Sequence, residues 1–140
     1  MLFPSAALAV DSGTVTGTGT VGYVCDMTLP GTTNLSAAGA DSIAGLASIG
    51  LQQNGDTTYT LSALTVNGPT DSDLLGTIQV AREEGTTVVT NSSTSTAATG
   101  DVTGNVSESG RLSMTIQELT AASMLVGSYS VSATVSCAQK

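Results

Sequence analysis

Residues 17–22 read Gly-Thr-Gly-Thr-Val-Gly, which matches the G-x-G-x-x-G pattern of loops that bind dinucleotide phosphates. Such a loop needs a strand before the glycines and a helix that begins at the third one. The residues after Gly22 carry no helical pattern and soon reach a proline. Residues 13–25 alternate with a period of two, so we predict a strand in which Gly17 and Gly19 permit a bulge or a close backbone approach. The pattern therefore does not indicate a nucleotide site.

Catalytic side chains are scarce in the rest of the chain. No histidine is present, which excludes Ser-His-Asp and Cys-His nucleophile arrangements, and two cysteines are too few for a zinc site. A catalytic pair of glutamates for glycoside hydrolysis remains an open alternative. However, only one Phe and three Tyr are present to form the aromatic platforms on which sugars bind. We predict that the protein has no catalytic residues, uses no cofactor and is not an enzyme.

Asp71 and Asp73 offer one further chemistry, as weak candidates for calcium ligands. They are two hard oxygen donors two residues apart, in the turn-rich stretch NGPTDSD at 67–73. Aspartates in such stretches more often cap the backbone amides of the turn itself, and we favour that interpretation. A calcium-dependent or carbohydrate-binding adhesive module stays open as an alternative function.

Cys25 and Cys137 lie near the two ends of the chain, each within an alternating run of apolar and polar residues. We predict a disulfide between them, which would close a loop of about 110 residues and stabilise the fold by roughly 4–5 kcal/mol. Such a bond favours an oxidising compartment or an exported particle. Two buried free thiols that behave as small apolar side chains are the alternative.

The composition favours a thin core of small side chains carried by β-strands. The 140 residues suffice for one domain, and 23 Thr and 18 Ser accompany 16 Gly and no Trp. Threonine and valine are β-branched and suit a pleated surface. A net charge of −8, with three basic residues, disfavours binding to nucleic acid and to an anionic membrane surface. No apolar run is long enough to span a bilayer, so we expect no membrane insertion.

The first twelve residues form a segment of their own. The sequence MLFPSAALAV is apolar, and its larger side chains are Leu2, Phe3, Leu8 and Val10. The run Ala-Leu-Ala at 7–9 resembles the end of a secretory signal with cleavage before Val10, although no basic residue precedes it. We expect residues 1–12 to be an arm that lies along a neighbouring subunit or adds a strand to its sheet. A remnant of a signal peptide is the alternative.

Residues 13–140 are predicted to form a single domain. Short runs of alternating apolar and polar residues are separated by turn residues along this stretch. This pattern predicts an all-β fold, an Ig-like or jelly-roll β-sandwich of seven or eight strands. Strands are predicted at 13–25, 57–66, 74–81, 86–90, 111–119 and 127–137, with Leu112, Met114 and Ile116 facing the core. Residues 35–50 are the only stretch that would allow a helical turn, residues 91–100 are predicted to be a mobile loop, and residues 108–110 a turn.

The final run, GSYSVSATVSC, has the cleanest alternation in the chain. Gly127 precedes it, and Tyr129, Val131, Ala133, Val135 and Cys137 share one face. This ending resembles the last strand of the fimbrial-type subunits that the chaperone–usher route exports. The resemblance implies a secreted pilus subunit that is joined to its neighbours by strand addition.

The acidic, Thr-, Ser-, Gly- and Ala-rich composition, together with the arm, resembles small decoration and appendage proteins of tailed phages. That resemblance implies a virion decoration, cement or appendage protein that acts through its N-terminal arm and exposed strand edges. We therefore expect a non-enzymatic structural subunit of a virion or of an extracellular or cell-surface assembly. Its expected partners are proteins, either further copies of the chain or shell and filament neighbours, and the virion interpretation is placed ahead of the pilus one.

Overall fold

The computed structural model describes residues 13–140, which form eleven β-strands and no helix. The strands are β1 (Cys25–Thr28), β2 (Ser36–Gly39), β3 (Ser42–Asn54), β4 (Thr57–Leu61), β5 (Thr65–Asn67), β6 (Leu74–Ala81), β7 (Thr87–Asn91), β8 (Ala98–Val102), β9 (Asn105–Glu118), β10 (Ser130–Ser132) and β11 (Val135–Gln139). In these residues there is accordingly no helix long and apolar enough to cross a membrane.

The strands form two layers of antiparallel sheet. The first is a six-stranded sheet in the order β1-β3-β9-β6-β7, with β2 on the same edge of β3 as β1. Its two long strands pair along their whole length, from Ser42 opposite Gln117 to Asn54 opposite Asn105. The second layer consists of the three-stranded sheet β11-β4-β8 and the two-stranded sheet β10-β5. The predicted all-β sandwich is confirmed, with eleven strands in place of the seven or eight expected.

The core between the layers is made of aliphatic side chains and one tyrosine. Tyr59 and Leu61 of β4 are almost completely buried, as are Ile78 of β6 and Ile116 of β9. The predicted core face of β9 is confirmed, because Leu112 and Ile116 are buried and the methionine between them packs on the same cluster. Strand β6 also has the predicted bounds of 74–81.

The strand predicted at 13–25 is wrong for most of its length. Residues 13–24 form no strand, and β1 begins only at Cys25. Strand β3, which is the partner of β1, ends at Asn54, and the backbone N–H of Asn54 donates to the carbonyl of Val24 at 3.2 Å. Residues before this point have no neighbouring strand to bond. Within the described residues, no helix follows Gly22 and residues 13–21 form no strand before it, so the glycine pattern is not a dinucleotide loop.

Glycine and alanine lie inside strands in two stretches where the sequence allowed a helical turn or predicted a turn. The stretch 35–50, which would have allowed a helical turn, contains β2 and the first part of β3. The turn predicted at 108–110 is part of the 14-residue strand β9. A Cβ on Gly110 would lie 2.5 Å from the carbonyl oxygen of Ala81, so glycine is needed here for close packing and not for a turn.

The loop predicted at 91–100 is only partly a loop. Asn91 ends β7 and Ala98 begins β8. The buried side chain of Asn91 donates to the carbonyls of Ser62 and Thr96 at 2.9 Å and accepts from the backbone N–H of Ser93 at 2.9 Å. These hydrogen bonds fix the turn between the strands. The polar composition of this stretch predicted a mobile segment. In the structure its polar side chains form hydrogen bonds with the backbone and hold the turn in place.

One side of the sandwich is closed and the opposite side is open. On the closed side, β7 packs on β8 so tightly that a Cβ on Gly100 would collide with the carbonyl of Val88. On the opposite side, the edge strands β1 and β11 are joined by the Cys25–Cys137 disulfide, whose Cα atoms lie 6.3 Å apart. The predicted disulfide is confirmed, and it is compatible with an extracellular or secreted protein.

Candidate assembly surface

A cavity of about 700 Å³ opens on the side of the sandwich that carries the disulfide, and we call it the lateral groove. One wall is the connection between β1 and β2, residues 29–35, and the other is the stretch 127–135 that leads into β11. The floor consists of apolar side chains from both layers: Ile43, Leu61, Ile78, Leu112 and Met114. Among residues 13–140 no charged side chain lines it, although the chain carries a net charge of −8.

The side chains of the lateral groove differ in how far the protein itself covers them. Leu61, Ile78 and Leu112 lie at its base and are almost fully buried. Ile43, Met114, Ala133 and Val135 are only half-buried along its length. An apolar segment that covered these four side chains would remove them from water, which is favourable in proportion to the area covered.

The wall formed by β10 and β11 has unpaired backbone groups, and we call it the open edge. Each of these strands pairs on one side only, β10 with β5 and β11 with β4. Ser62 donates its backbone N–H to Thr134, and Lys140 donates its own to Asp56. Because antiparallel strands bond at alternate residues, the even-numbered residues of β11 bond β4. The backbone N–H and C=O of Val135 and Cys137 therefore point towards the open edge.

The residues predicted in the last strand are brought together at this wall. Gly127, Tyr129, Val131 and Val135 all line the lateral groove. Gly127 packs against Pro69, and a Cβ there would lie 2.5 Å from the proline ring. The predicted run 127–137 is not one continuous strand, because its pairing partner changes from β5 to β4 at residues 133–134.

Thr33 is an unusual residue in the opposite wall. Its hydroxyl oxygen Oγ1 is buried and has no hydrogen-bond partner within the described part of the chain. A buried polar atom without a partner costs about 1–3 kcal/mol, so most such atoms in proteins are paired. The Thr33 oxygen is shielded within its wall, so the groups that the lateral groove leaves free to bond lie on the open edge.

Residues 22–24 are fixed to the end of β3 by a set of hydrogen bonds that we call the clamp. The side chain of Asn54 accepts from the backbone N–H of Val24 at 2.7 Å and donates to the carbonyl of Gly22 at 2.8 Å. The hydroxyl of Tyr23 bonds that of Thr57 at 2.7 Å. The clamp determines the direction in which the preceding chain leaves the sandwich.

That direction is away from the lateral groove. Strand β1 runs from Cys25, opposite Gln53, to Thr28, opposite Gly50, and then continues into the groove wall at 29–35. The preceding residues leave at the other end of β1, beyond the end of β3. Val15 and Val21 are 98% and 89% exposed, so this segment does not pack on the sandwich. The predicted arm residues Leu2, Phe3, Leu8 and Val10 lie outside the described residues.

A buried polar network lies beneath the clamp, and the sequence patterns did not indicate it. Gln53, which is 3% exposed, donates through Nε2 to the carbonyls of Gly55, Val102 and Gly104 at 2.8–3.1 Å. Its Oε1 accepts from the Tyr59 hydroxyl at 2.7 Å. Burial raises the pKa of the Tyr59 phenol, which keeps it protonated as a donor. The network fixes the end of the sandwich from which the arm departs.

Glu118, at the end of β9, is a buried carboxylate that binds two turns. It is 2% exposed and accepts from the backbone N–H groups of Asp73, Thr120 and Ala121 at 3.2–3.3 Å, and from the Thr120 hydroxyl at 3.1 Å. Burial raises the pKa of this carboxyl, but the hydrogen bonds lower it by more, so that it lies below its ordinary value. The carboxylate therefore connects the turn before β6 to the segment that leads into β10.

The lowered pKa of Glu118 predicts a loss of stability in acid. A carboxyl with a lowered pKa in the folded state stabilises the protein above its unfolded pKa, near 4.5, and this contribution is lost as the pH falls through the folded value. We expect Glu118→Gln to lower the melting temperature near neutral pH and to flatten its decline between about pH 6 and pH 3. The measurement is thermal unfolding across that range, with the exposed Glu83→Gln as the matched control. If the melting temperature of Glu118→Gln and that of the unmodified protein fell equally steeply with pH, this role would be contradicted.

The calcium candidates Asp71 and Asp73 lie in the turn that Glu118 binds. Asp71 is exposed with a left-handed φ of 70°, and the Ser72 hydroxyl donates to the carbonyl of Pro69 in the same turn. Within residues 13–140, no three His, Cys, Asp or Glu side chains come together as a group that would hold a metal ion. The observed hydrogen bonds are those of a turn.

Two of the three cations form ion pairs remote from the lateral groove. Arg82 lies 2.6 Å from Glu108 and 3.4 Å from Glu84. The hydrogen bond from Arg82 lowers the pKa of the Glu108 carboxyl. Lys140 lies 2.7 Å from Asp101, an exposed pair. The Lys140–Asp101 pair contributes little to stability, because water screens exposed charges.

Comparisons of the chain with family models, with curated proteins and with solved structures give no match.

Proposed function

We propose that the protein is a non-enzymatic structural subunit of an extracellular or particle-borne assembly. The observation that most supports this function is the open edge beside the lateral groove, where unpaired backbone groups lie next to half-buried apolar side chains. A strand from a neighbouring protein would pair with the backbone and cover the side chains in a single interaction. The mechanism is passive adhesion between subunits, with the polar Thr- and Ser-rich surfaces facing water.

The composition of the open edge supports a role in binding. Proteins that work as isolated copies protect their sheet edges with charges, prolines or bulges, because a bare edge pairs with other chains. Strand β11 has the sequence Val-Ser-Cys-Ala-Gln, which contains no charge and no proline. An edge of this kind favours a function in which another chain covers it.

Two settings use such an edge, and we place a phage virion decoration or appendage protein ahead of a secreted pilus-type subunit. Both fit the Cys25–Cys137 disulfide, which needs an oxidising environment to form. The intact mass of protein from its native source separates them. Retention of residues 1–9 supports the virion setting, and a chain that begins at Val10 supports the exported one.

Sedimentation velocity of the full chain over a wide concentration range tests the proposed function. We expect species larger than one copy, growing with concentration. Added salt should strengthen the association, because each copy carries a net charge of −8 and the repulsion is screened. A single species with the mass of one copy at every concentration and ionic strength would contradict the proposal.

A further inference from the structure

We infer that residues 2–10 of one copy bind as a strand in the lateral groove of a second copy, so that copies join head to tail. This inference rests on the proposed function and specifies the partner. The strand lies between the open edge and residues 29–35. Three observations carry it: the positions of the two surfaces, the pattern of the segment, and the unsatisfied groups that face the groove.

The donor and the acceptor surfaces lie at different ends of the sandwich. The clamp at Gly22–Val24 directs the chain past the end of β3, whereas the lateral groove follows the other end of β1. Residues 13–21 are exposed and would span about 30 Å when extended. The arm therefore leaves the sandwich at the end remote from its own groove, with a reach that extends to a neighbouring copy. An interface between two different surfaces is heterologous, and it builds rings or filaments.

Residues 2–10 would be apolar on both faces of a strand, apart from Ser5. The even-numbered positions are Leu2, Pro4, Ala6, Leu8 and Val10, and the odd-numbered positions include Phe3, the largest apolar side chain of the segment. The stretch holds nine residues, as does the groove wall at 127–135. Proline lacks an N–H donor and is tolerated in a strand that bonds on one side.

Charge does not oppose this pairing. Neither residues 2–10 nor the residues that line the lateral groove include a charged side chain. Burying a charge in an apolar site is unfavourable, and like charges would repel in a protein of net charge −8. Docking of this segment brings together two of the uncharged parts of an acidic molecule.

The groups left unpaired in the lateral groove are those that a strand satisfies. The backbone N–H and C=O of Val135 point towards the open edge on one wall. A strand laid along this wall offers its own N–H and C=O groups to them on one side.

Photo-crosslinking tests the location directly. The full chain carries p-benzoyl-phenylalanine in place of Leu8, and unlabelled and ¹⁵N-labelled copies are mixed before irradiation. We expect crosslinks that join one labelled and one unlabelled chain and map to residues 29–35 or 127–135. Crosslinks only within one chain would show that the arm binds its own copy, and crosslinks to other surfaces would overturn the site.

Charge substitutions test the head-to-tail geometry. Leu8→Asp disables the arm and Ala133→Asp disables the groove, and we expect each variant to associate at least tenfold more weakly than the unmodified chain. Ser5→Asp and Ser136→Asp are the matched controls, on the odd-numbered face of the arm and the outer face of β11, and should associate normally. A mixture of Leu8→Asp and Ala133→Asp should form pairs that do not grow, because one intact arm meets one intact groove.

The outcomes separate this inference from the proposed function. If the unmodified chain assembles and the two variants assemble equally well, the structural role stands and the arm–groove contact is wrong. If the mixture of variants stays monomeric while each remains folded by circular dichroism, the head-to-tail geometry is wrong. If the unmodified chain never assembles, the proposed function itself fails.

Discussion

Replacement of Cys25 and Cys137 by alanine is expected to lower the free energy of unfolding by about 4–5 kcal/mol. The disulfide joins residues separated by 112 positions, so it restricts nearly the whole unfolded chain. It also joins the edge strands β1 and β11, which do not pair with each other by backbone hydrogen bonds in the described sheets. Since domains of this size are stable by about 5–15 kcal/mol, the variant should unfold at much lower urea concentrations.

Urea unfolding followed by circular dichroism measures this effect. Reduction of the unmodified protein should shift the midpoint by a similar amount, which separates loss of the bond from the effect of the alanines. A change of less than about 1 kcal/mol in both experiments would show that the open side is stable without its covalent connection.

Gln53→Leu is expected to lower the free energy of unfolding by about 3 kcal/mol. Leucine is similar in size, so the loss comes from groups that stay buried without a partner. These are the hydroxyl of Tyr59 and the carbonyls of Val102 and Gly104. The same network lies beneath the clamp, so we also expect the amide of Val24 to exchange faster with solvent in this variant.

Gln52→Leu is the matched control for this substitution. The two glutamines are adjacent in β3, but Gln52 is exposed on the outer face. Its replacement should change the stability by no more than about 0.5 kcal/mol. Equal effects of the two substitutions, measured by urea unfolding, would show that the Gln53 network does not stabilise the fold.

The alternation of apolar and polar residues correctly predicted those strands that bury one face against the core. Strand β6 and the core-facing residues Leu112 and Ile116 of β9 follow from apolar side chains at every second position, because one side of each strand packs on the core. The disulfide was predicted because its two cysteines stand in such runs. These features depend on local sequence.

Features that depend on distant partners were not predictable in this way. Residues 13–24 alternate like a strand, yet β3 ends where they begin, so they have no edge to pair with. The sequence predicts a turn at Gly110, although this glycine serves a close approach to Ala81 across the sheet. In both cases the deciding interaction lies far away in sequence.

In the candidate site, too, some features follow from the local sequence and others depend on residues that are distant in the chain. The last strand and its inward residues Tyr129, Val131 and Val135 were identified from alternation. The lateral groove was not, because it results from which edges stay unpaired once all strands are placed. The buried partners of Gln53 and Glu118 gave no local signal either, since polar residues in strands usually face solvent.

Residue-resolved amide hydrogen exchange of Val135 tests the central claim most directly. Its N–H points to the open edge, whereas that of the adjacent Ser136 bonds β4. The account predicts that in dilute, unassembled protein Val135 exchanges fast and Ser136 slowly, and that Val135 becomes protected on assembly. Assembled protein in which Val135 still exchanges as fast as in the single copy would contradict it.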